Sequence, residues 1–96
     1  MKYNFEWDPV KAASNQTKHG VSFEEAAEIF LDPLQISIPD EKHSESEERW
    51  ITLGNTRSNK LRLVVHTYLA YHDDQVTVRI ISARPATRHE QRQYEG

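Results

Sequence analysis

Ninety-six residues with no cysteine and a net charge of −3 make one domain, and they exclude a disulfide framework, a thiolate zinc site and a cysteine nucleophile. The longest apolar runs, Leu63-Val64-Val65 and Ile80-Ile81, fall far short of the roughly 20 residues of a membrane span. With no signal-peptide pattern at the start, the expectation is a soluble cytoplasmic protein. The charge is divided along the chain: four Lys/Arg against eleven Asp/Glu leave residues 1–48 at −7, and eight against four leave residues 49–96 at +4. The total argues against a non-specific DNA coat, and the second half leaves room for a local anion site.

A first strand at the N-terminus gives way to a helix at Asp8-Pro9, where Asp8 serves as N-cap and Pro9 fits the first helical position. Val10 and Ala13 give this helix only a weak apolar stripe. Gly20 ends it, with Lys18 and His19 in the last turn where cations suit the helix dipole. Ser22 and Glu25 have capping-box spacing and open a second helix, whose apolar face is Phe23, Ala26, Ala27 and Phe30; Asp32-Pro33 closes it. From Leu34 the period becomes two, so Leu34, Ile36 and Ile38 mark a strand. The acidic stretch from Pro39 to Glu48 reads as a loop with the composition of a mobile segment.

Trp50 to Leu53 reads as a short strand closed by the turn-rich segment Gly54–Asn59, and Leu61 to Tyr71 as the longest strand. A hairpin loop at residues 72–75 leads into a strand over Val76 to Ala83. Thr87 and Glu90 offer a second capping box for a C-terminal helix. The predicted fold is α+β, in the order β-α-α-β-β-β-β-α. Two N-terminal helices lie on an antiparallel sheet of residues 34 to 83, because short loops make consecutive strands antiparallel. Within Leu61–Tyr71, alternation puts Leu61, Leu63, Val65 and Leu69 on one face, taken as the core side. The half-polar set Arg62, Val64, His66 and Tyr68 then faces solvent or a cleft.

Three clusters could handle a phosphate: Lys18-His19 at a helix end beside a glycine, Glu48-Arg49 where the acidic loop enters a strand, and Arg79 with Arg84 on the last strand. Histidine exchanges protons near neutral pH, and a guanidinium offers a planar fork to phosphate oxygens. Each cluster also has a plain structural reading: a dipole-favoured cap, a salt-bridge pair, an edge-strand charge. Asp8, Glu48 and Arg49 could equally form a buried structural network. There is no HExxH, GxGxxG, P-loop or GxSxG motif, and the five histidines lack tight metal-ligand spacing; His66 with His72 is the weak exception. Neither a metal nor a cofactor is expected.

One string of residues resembles the BrnT toxin family. It runs Phe5-x-Trp7-Asp8-Pro9-x-Lys11, Asn15, Lys18-His19-Gly20-Val21-Ser22-Phe23, Ala26, Phe30, Asp32-Pro33, Glu47-Glu48-Arg49, Gly54, and Arg79-Ile80-Ile81-Ser82-Ala83-Arg84-x-Ala86-Thr87-x-x-Glu90-x-x-x-Tyr94. The resemblance spans nearly the whole chain, and departs from the family at Thr67–Gln75, which is longer and more acidic. It implies a single toxin domain over residues 1–96 with a RelE-like fold, acting as a ribonuclease that stops translation. The implied partners are RNA and a BrnA-like antitoxin, in a heterotetramer that reaches DNA only through the antitoxin. Carried over onto this sequence, it marks Lys18, His19, Glu48, Arg49, Arg79 and Arg84 as catalytic: His19 and Glu48 as the acid–base pair, the four cations as phosphate holders. Two readings compete with it: a non-catalytic interaction module of the same fold, and a small anion- or nucleotide-binding protein using an Arg79/Arg84 corner.

Overall fold

The computed structural model describes residues 2–43 and 47–96. Met1 and residues 44–46, the latter in the middle of the acidic segment expected as a loop, lie outside the described residues. Strand β1 (Lys2–Glu6) leads into α1 (Pro9–His19) and α2 (Phe23–Ala27), which continues as a 3₁₀ turn, Glu28–Leu31. Strands β2 (Ile36–Pro39), β3 (Arg49–Asn55), β4 (Leu61–His72) and β5 (Gln75–Pro85) follow, and α3 (Arg88–Glu95) ends the chain. The five strands form one sheet in the order β1-β5-β4-β3-β2.

β2 to β5 are antiparallel neighbours, as the short connections require. β1 differs: it pairs with β5 in parallel, from Lys2 opposite Gln75 to Glu6 opposite Arg79, so the sheet is mixed. The intervening chain carries both helices, β2, β3 and β4, which is ample length for a parallel return.

The helix boundaries follow the capping chemistry. Asp8 accepts from the Val10 amide at 2.8 Å, and Gly20 closes α1 at φ 71°, the left-handed region glycine enters without a Cβ clash. Ser22 accepts from the Glu25 amide at 3.0 Å, but the Glu25 carboxylate turns away to meet Arg62 at 2.8 Å. The weak stripe expected on α1 is not its buried face. Val10 and Ala13 are exposed, and the buried residue of α1 is Asn15.

Asn15 explains itself through the sheet. Its amide donates to Ala83 O and Val21 O, both at 2.9 Å, while its oxygen accepts from Ala83 N at 3.1 Å. β1 ends opposite Arg79, so this side chain satisfies the backbone of β5 where the neighbouring strand has stopped.

The core lies between the sheet and α2 with its 3₁₀ turn: Val21, Phe23, Ala26, Ile29, Phe30, Val64, Val76, Val78, Ile80 and Ala83. Val64 and His66 of β4 are fully buried in this layer, whereas Leu69 is exposed. The face taken as core from alternation in β4 is therefore reversed. Two irregularities in β4–β5 pairing, at Ile81 and at Leu69, break strict period-two alternation along both strands. A histidine at a core position also disguised the inward face. His66 is accommodated by a 2.6 Å hydrogen bond to the buried Thr52 hydroxyl and an edge-on contact with Phe30. Burial pushes its pKa down to about 4, so it is neutral at physiological pH.

Candidate functional site

The cations of the second half do not form one cluster. Register places Arg49 opposite Thr67, and Thr67 opposite Arg79, in a row across three strands. Neighbouring strands lie about 4.8 Å apart, so the backbones of the two arginines are about 10 Å apart, a span that two long side chains can close upon one phosphate. Val78, Ile80 and His66 point into the helix-covered core, so alternation puts this row on the opposite face. Arg79 is exposed and paired with Glu6 through Nη2 at 3.0 Å and Nε at 3.1 Å. Exposed pairs of this kind are weak, so a polyanion competes for the guanidinium at little cost.

Glu48 is exposed and immediately precedes Arg49. Together with Glu47, Trp50, Thr67, Tyr68 and Tyr71 it lines a cleft of about 200 Å³. The cleft sits at the edge of β4, whose residues beyond Thr67 have outrun the pairing with β3. Its walls are aromatic. The Trp50 and Tyr68 rings meet edge-on at 5.4 Å, and Tyr68 and Tyr71 lie 5.7 Å apart. Burial, the neighbouring Tyr68 and Tyr3, and the negative charge of Glu48 all raise the pKa of Tyr71, so its phenol stays protonated.

Lys18 and His19 stand elsewhere. His19 follows Asn15 by four residues, on the same helix face and about 5.4 Å further along the axis. Since Asn15 is fixed to Ala83, this pair belongs to the Ala83–Arg84 end of β5. Arg84 lies five residues beyond Arg79, about 16 Å along the strand, which separates the two members of the supposed Arg79/Arg84 corner.

Arg84 is also already engaged. It forms a two-pronged pair with Glu90 at 2.8 Å on each prong, which raises its own pKa and, with the Thr87 amide, holds Glu90 down to about 2. Glu90 completes the capping box with Thr87, so Arg84 fastens α3 to the sheet. The buried Asp8–Glu48–Arg49 network is absent: Asp8 is an exposed cap and Glu48 is exposed. His66 and His72 do not share a site either, one being buried in the core and the other exposed beside Asp73. Among the described residues no group of three or more His, Asp or Glu is placed to hold a metal ion.

Several motif residues prove to be structural. Asp32 accepts from the Leu34 amide at 2.9 Å, the Asn55 amide at 2.8 Å and the Tyr94 hydroxyl, joining the 3₁₀ turn, β3 and α3. Burial alone would raise its pKa, but these donors outweigh it and the carboxylate titrates below its ordinary range. The residues that sequence reasoning missed are Trp50, Thr67 and Tyr71, whereas Tyr68 was already placed on a face open to solvent or a cleft. Their signal was the aromatics near Glu47-Glu48, which gather only once β4 is known to outrun β3.

A mixed five-stranded sheet with α1 and α2 on one face and a guanidinium row on the other defines a small α+β domain with a cationic sheet face. The chain matches the family model described as ribonuclease toxin, BrnT, of type II toxin-antitoxin system, over residues 7–90, and it belongs to that family. It is therefore a toxin of a type II toxin–antitoxin system, a family described as ribonucleases and one that implies an antitoxin partner. Its fold is similar to that of the Brucella abortus ribonuclease toxin BrnT, known from a 1.1 Å crystal structure. The TM-score is 0.67 at 22% identity, over 92% of this chain and 100% of that one. No curated protein matches the chain. Among the described residues no helix is long and apolar enough to cross a membrane.

Proposed function

We propose that the protein is a metal-independent endoribonuclease that stops translation by cutting RNA in the cytoplasm, and that a cognate BrnA-like antitoxin neutralises it within a heterotetramer. The observation that carries this reading is the row Arg49–Thr67–Arg79 with Glu48 beside it. A carboxylate that reaches a phosphate held by two guanidiniums supplies what 2′-hydroxyl attack needs. Glu48 takes the 2′-hydroxyl proton, the 2′-oxygen bonds to phosphorus, the P–O5′ bond breaks, and the departing 5′-oxygen takes a proton from water while Glu48 returns its own to solvent. The products are a 2′,3′-cyclic phosphate and a 5′-hydroxyl, with no co-reactant. Arg49 and Arg79 hold the phosphate and stabilise charge on the phosphorane and the departing oxygen. They supply the positive charge that a metal gives in other nucleases.

Lys18, His19 and the free N–H groups of Arg84 hold the flanking RNA backbone at the other end of β5. His19 is thereby assigned to the backbone and not to proton transfer. The His19→Ala variant separates the two roles. Loss of a general acid lowers kcat by about 10²–10⁴, whereas loss of a backbone contact raises KM and steepens no pH profile. The reading as a whole is tested by incubating the purified protein with RNA in EDTA and identifying the product ends by mass spectrometry. Cyclic phosphate ends that vanish in Glu48→Gln support it, and an inert wild-type protein with a folded spectrum refutes it.

A further inference from the structure

The guanidinium row binds any RNA, because phosphates carry no sequence. Base selection needs a separate surface, and Thr67, the middle residue of the row, also lines one. The cleft at the edge of β4 offers exposed π surface from Tyr71, which is 67% exposed, beside the half-buried Trp50. It also holds a buried hydroxyl with nothing to bond. Thr67 is only 2% exposed, lines the cleft, and its Oγ1 has no hydrogen-bond partner. Buried polar atoms are satisfied in folded proteins as a rule, so an orphan in a cleft wall marks a place for a ligand. The two carboxylates of the wall, Glu47 and Glu48, repel a phosphate from the cleft itself. At about 200 Å³ it is sized for a single flat group.

We propose that this cleft selects an unpaired guanine of the RNA, stacked on Tyr71 and read by the Glu47 carboxylate and, once its side chain turns out into the cleft, by the Thr67 hydroxyl. Carboxylate oxygens only accept. Guanine presents two adjacent donors, N1–H and the N2 amine, which match both oxygens of one carboxylate. Adenine and cytosine each place a ring acceptor beside their single amine, and uracil flanks its N–H with two carbonyl oxygens. Single-stranded bases splayed from the backbone are the form in which proteins read RNA sequence, with aromatic stacking beneath them. Glu48 remains free for the 2′-hydroxyl of the same nucleotide, next to Arg49.

The substrate class rests on the ribonuclease reading, so binding and cutting are measured separately. Five pentanucleotides methylated at every 2′-oxygen, with guanosine, inosine, adenosine, cytidine or uridine at the centre of flanking uridines, cannot undergo 2′-hydroxyl attack. Their affinities are read by fluorescence anisotropy, and the Trp50 indole is followed by NMR. The guanosine oligomer is expected to bind about tenfold more tightly than the inosine one, which lacks only the N2 amine, and to shift the Trp50 signal. Glu47→Gln should erase the guanosine–inosine difference at an unchanged melting temperature. Tyr71→Ala should weaken all five about tenfold, with Tyr71→Phe restoring them. Equal affinities for the five oligomers, or an unmoved Trp50 signal, overturn the proposal. Unmodified RNA decides the ribonuclease reading on its own: selective binding without cutting leaves the pocket standing and removes the nuclease, and cutting without selectivity does the reverse.

Discussion

A methyl group on Gly54 would lie 3.1 Å from both the backbone oxygen and Cβ of Ile29. The glycine is there so that the 3₁₀ turn can approach β3, and a backbone oxygen cannot swing away as a side-chain tip can. Gly54→Ala is expected to cost about 1–3 kcal/mol, the range for overpacking a close contact, read as a lower urea midpoint at unchanged slope. His66 gives a second prediction at this scale. Its folded pKa of about 4 lies below the unfolded value of 6.5, so the unfolded chain binds the proton more readily. Stability is fully present above pH 6.5 and is lost as pH falls toward 4. Between pH 7.5 and 5 the loss is about 2 kcal/mol. The stability that Glu90 supplies, with its folded pKa near 2 against 4.5, is present above about pH 4.5 and is lost only below it. Urea denaturation at pH 7.5 and 5.0 measures the His66 share, and a flat profile over that window contradicts its burial as a neutral ring.

Among the elements, α3 depends most on a few polar ties. It buries none of its own residues and is held by Arg84–Glu90 and by Tyr94 on Asp32. Tyr94→Phe removes a hydroxyl that donates to a carboxylate, a bond worth about 1.5–3 kcal/mol. Amide exchange should quicken in α3 while the amides of β4 and β5 stay protected. Helix positions were legible because each is set by a local signal: Asp8-Pro9, Gly20, Ser22 and the Thr87/Glu90 box act within a turn of chain. The strand faces were not. Val64 and His66 face the helices because α2 and its 3₁₀ turn pack on that side, Phe30 meeting His66 edge-on, a long-range choice that leaves no mark in β4 alone. β2 likewise starts at Ile36 and not Leu34, since Asp32 O accepts from the Gln35 amide at 3.2 Å and its carboxylate holds the Leu34 amide in a turn. The parallel place of β1 was hidden for the same reason, its partner being more than 70 positions away.

For the whole molecule, the −7 and +4 halves of the chain fold together with acid beside base at Glu6 on Arg79 and Glu25 on Arg62, while Asp32 and Glu28 accept from the Asn55 and Arg57 amides. The candidate site was legible as a set of residue types and not as a place. Of the six residues singled out, Arg49 and Arg79 are brought into one row through Thr67, with Glu48 next to Arg49 in the chain, while Lys18, His19 and Arg84 belong to the far end of β5. An antitoxin that covers the Arg49–Arg79 row would block RNA by occupancy. Co-purification of Arg49→Ala/Arg79→Ala with the antitoxin is expected to be weakened, with the free variant still folded. The central claim is that Glu48, Arg49 and Arg79 are one catalytic unit. Its most direct measurement is single-turnover cleavage of one RNA, in EDTA, by the wild type, Glu48→Gln, Arg79→Ala and the double variant. A unit predicts a loss of about 10²–10⁴ for Glu48→Gln and a double variant scarcely worse than the poorer single one. Full cleavage by Glu48→Gln at an unchanged melting temperature, or losses that simply multiply, would contradict it.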